Sequence, residues 1–502
     1  MKRLAIVLAL VGCGSCTHTV SPRVPAPVAP SPLPSPVSLT GVWLGTLATG
    51  GKGLRLQLHL NLAPTPATCA LDSLDQGAAG IPCTNVVASA TELSLDVPDV
   101  QGSLKGTVSG DANTVTATWT QGSSVLPIVL TRQGAALAEV KPMLDPALPP
   151  VPIDKLQAVL DADLAKALAG RLAPATGVGV TIGVVEHGTR KVFSYGAVKP
   201  DSVFEIGSIT KTFTGLALAQ LVQQRKANLD EPIRALMPKN TVAAPAAGAE
   251  ITLLDLSAQR SGLPRLPDNI KPADVANPYA DYDTKALYAF MTSHGVALPA
   301  KPEYGYSNLG VGLLGQLLAD RAGVTFEALV KEQITAPLDM RDTMVKLTPA
   351  LAMRFASGHH GEDNAPQGAW DFTALAGAGA IRSTATDMLA YLEAQLHPDH
   401  VRSKSAEAKT LPAALAASHE VRGDVGGGIH IALNWFRFDG SSRYWHNGGT
   451  GGYSSYATFD LEADYAVVVL CNCASEDRSF ADDLGDHIVQ RLTGKPAITL
   501  AR

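Results

Sequence analysis

Residues 204–211 read Phe204-Glu205-Ile206-Gly207-Ser208-Ile209-Thr210-Lys211. Positions three apart share one face of a helix, so the Lys211 amine can reach the Ser208 hydroxyl. A serine hydroxyl alone is a weak nucleophile. A lysine whose pKa has been lowered by partial desolvation can take its proton, directly or through a neighbour. In isolation the pair reads as an N-cap serine followed by a solvated lysine. Two further motifs, in a fixed order, change that reading.

The second motif is Tyr306-Ser307-Asn308, preceded by Glu303-Tyr304-Gly305 and followed by an apolar run over 309–318. Such a triplet is expected on a loop that opens a helix, projecting side chains into a cleft. Tyr306 can relay protons, and Asn308 can bind a substrate amide. The third is Trp445-His446-Asn447-Gly448-Gly449-Thr450-Gly451-Gly452-Tyr453, next to a strand-like segment at 455–460. Glycines on a strand allow another backbone to approach closely, so an extended ligand can add along this edge and meet backbone amides.

Ser-x-x-Lys, Tyr-x-Asn and a Lys-or-His-x-Gly strand, in this order, resemble the penicillin-recognising serine hydrolases. The tyrosine of the second motif makes the chain similar to the branch of class C β-lactamases, AmpH-type D-Ala-D-Ala carboxypeptidase/endopeptidases and family VIII esterases. Ser261-Gly262-Leu263-Pro264 and Ala376-Gly377-Ala378-Gly379-Ala380-Ile381-Arg382-Ser383-Thr384 are further phrases of that kind, and the similarity runs over about 153–494. The resemblance implies an α+β fold: a β-lactamase/transpeptidase-like domain, with an antiparallel sheet flanked by helices and a helical subdomain. It also implies a two-step acyl transfer. Ser208 attacks a carbonyl, Lys211 and Tyr306 manage the proton, and Asn308 positions the acyl-side amide. His446 orients the leaving group or its carboxylate. Gly448 and Gly449 bring backbone amides which, with that of Ser208, form an oxyanion hole. Water then releases the acyl-enzyme.

Two positions depart from the class C pattern. His446 stands where those enzymes carry lysine and Asn447 where they carry threonine. A lysine offers a fixed charge to a substrate carboxylate, whereas a histidine is cationic only below its pKa, ordinarily near 6.5. Thr210 is a smaller departure, at a position where serine or alanine is usual. The histidine, together with the export signal and outer-membrane address read from the N-terminus below, makes a peptidoglycan peptidase, acylated by β-lactams, the first expectation. A class C-like β-lactamase, a family VIII carboxylesterase and a non-catalytic penicillin-binding lipoprotein are the alternatives.

The chain has 502 residues, 46% hydrophobic and 17% charged, enough for a large core and more than one domain. Its net charge of -6 argues against a nucleic-acid partner. Lys2-Arg3 followed by an apolar run reads as a signal peptide over 1–12. Leu10-Val11-Gly12-Cys13 resembles a bacterial lipobox, which implies acylation of Cys13. Gly14 follows it, without an aspartate to retain the protein at the inner membrane, so an outer-membrane lipoprotein facing the periplasm is expected. Residues 13–38 then form a proline-rich tether.

A small all-β accessory domain is expected over 39–134, a sandwich or barrel in which Leu54-Arg55-Leu56-Gln57-Leu58-His59-Leu60 alternates strictly. His59 reads simply as part of one strand face. In an oxidising compartment Cys69 and Cys83 are expected to close a disulfide. A linker at 135–152 precedes the hydrolase domain at 153–502. That domain is expected to start with a helix capped by Asp154 and to close on another striped by Leu484, Ile488 and Leu492. Cys471 and Cys473, two apart on one strand, are expected to stay as free thiols. His359-His360-Gly361-Glu362-Asp363 and His397-Pro398-Asp399-His400 read as solvated loops, not metal sites, and no cofactor is implied. The Gly-x-Ser-x-Gly elbow of α/β hydrolases does not occur in the sequence.

Overall fold

In the alternating run Leu54–Asn61, Leu56, Leu58 and Leu60 are buried while their neighbours are not. That strand belongs to the first of two units, Met1–Ala138 and Glu139–Arg502. The computed structural model describes residues 39–47, 54–62, 68–73, 78–100, 102–121, 124–133, 144–361, 364–402, 405–474 and 480–500. The expected signal segment, Cys13, the tether and residues 135–143 of the expected linker lie outside them.

The first unit is built from β1 (Gly41–Leu47), β2 (Leu54–Asn61), β3 (Thr68–Ser73), β4 (Ala78–Pro82), β5 (Thr84–Ala88), β6 (Glu92–Val97), β7 (Gly102–Val108), β8 (Thr114–Gln121) and β9 (Ser124–Gln133). All paired neighbours are antiparallel, and β1 also pairs with β9. The pairing order starts at β4 and ends at β5. Those two are separated by Cys83 alone, whose N–H still bonds Cys69 O, so the run from β4 to β5 is one kinked strand and the sheet closes on itself. The result is an up-and-down barrel filled by Trp43, Leu58, Leu93, Val115 and Leu130. Closure removes the sheet edges that an open sheet would expose. Cys69 and Cys83 are disulfide-bonded at the kink. His59 does more than fill a strand face: its ring hydrogen-bonds Asp72 across the β2–β3 pair.

In the second unit an eight-stranded antiparallel sheet runs in the order Thr189–Gly196, Gly179–Glu186, Tyr465–Cys471, Ser454–Asp460, Arg443–Gly449, Phe436–Phe438, Ile429–Ile431, Gly423–Gly426. Its central strands are covered on both faces. Val467 and Val469 pack with Leu160, Leu484 and Ile488, whereas Val468 and Leu470 pack with Phe213 and Leu389. Strand side chains alternate faces, so burial of both gives the continuous apolar run of Tyr465–Cys471. The helical part, including Leu253–Ser257, Thr284–His294 and Asn308–Ala322, lies between sheet segments in the chain.

Three local expectations are corrected. The first helix, Leu156–Asp163, has Lys155 at its N-cap, with no side-chain cap from Asp154 or any other residue. The start of that helix is held instead by burial of Leu156 and Leu160. Cys471 and Cys473 are bonded to each other. The strand ends at Cys471, and the Asn472 side chain ties the next turn to Gly177, Gly179 and Ser357. This bend brings the two Cα atoms to 5.3 Å, closer than the ~6.6 Å of an extended strand. His359 is buried, not solvated, and its ring lies 3.2 Å from Asn472 O.

Candidate active site

Ser208 lies in a single 3-10 turn, Gly207–Ile209, that runs directly into the helix Thr210–Gln223. The turn is fixed from two directions. Ile206 N–H bonds Ile381 O, and the Ser455 hydroxyl donates to Ile206 O at 2.9 Å. Gly207 has φ 48, and a side chain there would sit 2.6 Å from Gly449 N. A Cβ on Gly448 would lie 2.2 Å from Ile206 O and 2.9 Å from Ser208 N. Glycine at both places is what lets the strand Arg443–Gly449 cross the nucleophile turn.

Lys211 is fully buried, whereas Ser208 is partly accessible. The amine lies 2.9 Å from Ser208 Oγ, 2.8 Å from Asn308 Oδ1 and 2.8 Å from Ala378 O. The last two can only accept, so they take two N–H groups. Desolvation first, and the charge of Arg265 second, hold the Lys211 pKa well below that of a free lysine. In the neutral amine two N–H groups are thus spent, and the lone pair faces the serine, whose O–H donates to it.

The other members arrive from the helical part. Ser307 is the N-cap of the helix Asn308–Ala322, its hydroxyl accepting from Gly310 N–H and donating to Pro264 O. Gln259 Oε1 accepts the Ser307 N–H at 2.6 Å, locking the triplet against the loop at 261–264. Tyr306 hydrogen-bonds Ser208, and its ring centroid lies 4.8 Å from the Lys211 amine. Burial raises its pKa to about 12, with the Ser208 bond and Arg265 opposing. The phenol is therefore protonated at neutral pH and acts as a donor. A continuous chain results: Tyr306 O–H to Ser208 Oγ, and Ser208 O–H to Lys211 Nζ. Ala378 O reaches the lysine because Gly315 and Gly377 pack backbone to backbone; a Cβ on either would stand within 2.9 Å of the other's Cα.

On the opposite wall, the strand Phe436–Phe438 pairs with Arg443–Gly449 only at Tyr444 and Trp445. Residues 446–449 pair solely with Ser454–Asp460, which leaves a backbone edge open beside Ser208. His446 is buried and stacks obliquely on Phe436, with ring centroids 5.2 Å apart. Its Nδ1 is 2.6 Å from Asn447 O and so carries the proton; Nε2 is bare and has no partner. Burial first, then Lys211, push its pKa down to about 3. His446 is thus a neutral acceptor. We predict that His446→Gln, which keeps a neutral polar group, lowers the rate on a neutral ester but leaves the limbs of the pH–rate profile in place between about pH 5 and 8. A limb that moves by about a unit would show that the imidazole titrates.

The fold brings all the motif residues, Ser208, Lys211, Tyr306, Asn308, His446, Gly448 and Gly449, together around the nucleophile. Several participants were not singled out from the sequence. Tyr279 hydrogen-bonds Asn308. Arg265 directly follows the Ser261–Pro264 phrase, which was the available signal. Glu205, three residues before the nucleophile, accepts from Trp370 N–H and Arg382. It ties the nucleophile turn to the segments that carry Trp370 and Arg382. Among the described residues no group of His, Cys, Asp and Glu has the arrangement of a metal site.

The Beta-lactamase family model matches residues 164–490. The chain belongs to the Beta-lactamase family. Within that family it is similar to the D-alanyl-D-alanine-carboxypeptidase/endopeptidase AmpH of Escherichia coli K12, at 28% identity over 336 residues, covering 63% of this chain and 85% of the relative. A Beta-lactamase of Yersinia enterocolitica is 24% identical over 333 residues, covering 59% of this chain and 82% of its own. Among solved structures, a class C β-lactamase from Rhodobacter sphaeroides superposes with TM-score 0.53 at 22% identity, covering 66% of this chain and 96% of that one. This likeness shows the fold: a Beta-lactamase-family sheet with flanking helices. The chain is a serine hydrolase of the penicillin-recognising superfamily.

Proposed function

We propose that this serine hydrolase is a D-Ala-D-Ala carboxypeptidase/endopeptidase acting on peptidoglycan peptides and acylated by β-lactams. The observation that carries the reading is His446, a neutral acceptor where a class C β-lactamase has a lysine. Similarity to the carboxypeptidase/endopeptidase AmpH supports it.

In the proposed cycle the Ser208 oxygen attacks the carbonyl of the scissile amide while its proton passes to the Lys211 lone pair. The tetrahedral oxyanion is met by the amides of Ser208 and Gly449, worth several kcal/mol in a site of this kind (about 3–4). Tyr306 donates a proton to the departing amine and is reprotonated from Lys211, so the C–N bond breaks and the acyl-serine remains. Asn308 Oδ1 faces Lys211, which turns Nδ2 toward the acyl-side carbonyl. Water then repeats the sequence, restoring Ser208 and releasing the acid.

We further propose that the protein is exported and anchored through an acylated Cys13, most simply to the outer membrane on its periplasmic side. Cys13→Ala should lose labelling by a fatty-acid analogue and shift the enzyme to the soluble fraction. Retention of the label would remove Cys13 as the anchor.

The deciding experiment is intact-protein mass spectrometry after penicillin, at seconds and at an hour, beside assays of D-Ala-D-Ala peptides and penicillin. A lasting adduct on Ser208 with peptide turnover supports the peptidase. Rapid penicillin hydrolysis with a vanishing adduct establishes a class C-like β-lactamase instead. No adduct, with turnover of simple esters only, establishes a carboxylesterase.

A further inference from the structure

Arg265 is the anomalous charge of the cleft. Its guanidinium lies 5.1 Å from the Tyr306 ring centroid, and its Nε is buried without a hydrogen-bond partner. Four other arginines of the same unit have carboxylate partners: Arg382 with Glu205 and Asp371, Arg354 with Asp342, Arg443 with Asp486, Arg491 with Asp163. Arg265 has no carboxylate among the described residues. Its surroundings are the phenols of Tyr279, Tyr304 and Tyr306, together with the Lys211 amine. A guanidinium is always charged, and a half-buried charge left without a counter-ion is unfavourable; rings of tyrosine offset only part of that cost.

The place of this charge is defined. Arg265 O accepts the N–H of Leu309, the residue after Asn308. Tyr279 joins the same corner through its bond to Asn308. Arg265 therefore belongs to the Asn308 side of the cleft, which in the proposed cycle holds the acyl half of the substrate. Across the cleft His446 offers a bare lone pair, which repels a carboxylate instead of binding it.

We infer that Arg265 is a specificity-determining residue that recognises a carboxylate on the acyl half of the substrate, carried in a peptide by the residue that precedes the scissile D-Ala and not by that D-Ala itself. A carboxylate arriving there supplies the missing counter-ion and can engage two N–H groups of the planar fork. This inference deepens the acyl-transfer reading above and rests on it for the placement of the acyl half. It does not depend on whether the leaving group is an amine or an alcohol.

The test uses two pairs of substrates, D-Ala-D-Ala peptides and nitrophenyl esters. Within each pair the acyl half carries either a carboxylate or the matching carboxamide, on the residue before the first D-Ala in the peptides and on the acyl group in the esters. The readout is the ratio of kcat/KM, anionic over amide, for the wild type, Arg265→Gln and Arg265→Lys. We expect the wild type to favour the anionic member by about 10–100-fold, Arg265→Gln to bring the ratio close to one, and Arg265→Lys to restore part of it. A wild-type ratio near one overturns the inference. So does an Arg265→Gln variant that slows both members equally, since the arginine would then act only through Lys211 and Tyr306. If peptides are not cut but the ester ratio collapses in Arg265→Gln, the peptidase reading falls and the inference stands. If peptides are cut and the ratio is unchanged, the reverse holds.

Discussion

Ser208→Ala is expected to abolish turnover of peptides, esters and penicillins alike, with kcat/KM falling by ~10^4-fold or more. It should also remove the penicillin adduct from the intact-mass spectrum. The substitution deletes one oxygen and leaves the turn intact, because Gly207–Ile209 is held by backbone bonds to Ile381 and by Ser455 rather than by the Ser208 side chain. The lost hydroxyl leaves the Lys211 lone pair unmatched, which costs about 1 kcal/mol, so thermal unfolding should scarcely move. A variant that keeps wild-type rates on any of these substrates would show that Ser208 is not the nucleophile for it.

Lys211→Ala should lower the acylation rate by about 10^2–10^4-fold while substrate affinity changes much less. Only the neutral amine can take the serine proton, so the wild-type rate should rise with pH through the depressed pKa of Lys211 and then level off. In the variant that rise disappears. Near-normal acylation by Lys211→Ala would exclude the lysine from the mechanism.

The same burial has a consequence for stability. Between the folded and unfolded pKa values of Lys211, the unfolded chain binds the extra proton. Stability therefore increases as pH rises across that window, by up to ~1.4 kcal/mol per unit, until it levels off near the unfolded value of about 10.4. Lys211→Met, which fills the space without a titrating group, should lose this component. Chemical denaturation of the wild type and the methionine variant at several pH values measures the difference, and parallel curves would contradict it.

Much of the site was legible because its signals are local. The three-residue spacing of Ser208 and Lys211, the triplet before an apolar helix, and the glycine strand each follow from the period of the element that carries them. The alternation at Leu54–Asn61 likewise foretold a β unit, though not its closure. Closure depends on a kink at Cys83, which alternation does not encode. Cys471 and Cys473 were misread for a related reason: strand geometry was assumed to continue past Cys471, where tertiary bonds to Asn472 end it.

The sequence by itself determined which chemical groups this hydrolase has and the order in which its chain supplies them. Only the tertiary structure decided how those groups are charged. Lys211 meets Asn308 across 97 positions and Ala378 across 167, His446 packs against Phe436 with a lone pair left bare, and Arg265 stands beside Tyr306 with no carboxylate partner among the described residues. Helix and strand periods are fixed by neighbours a few residues away. Proton affinity is fixed by desolvation and by charges brought together from the whole fold.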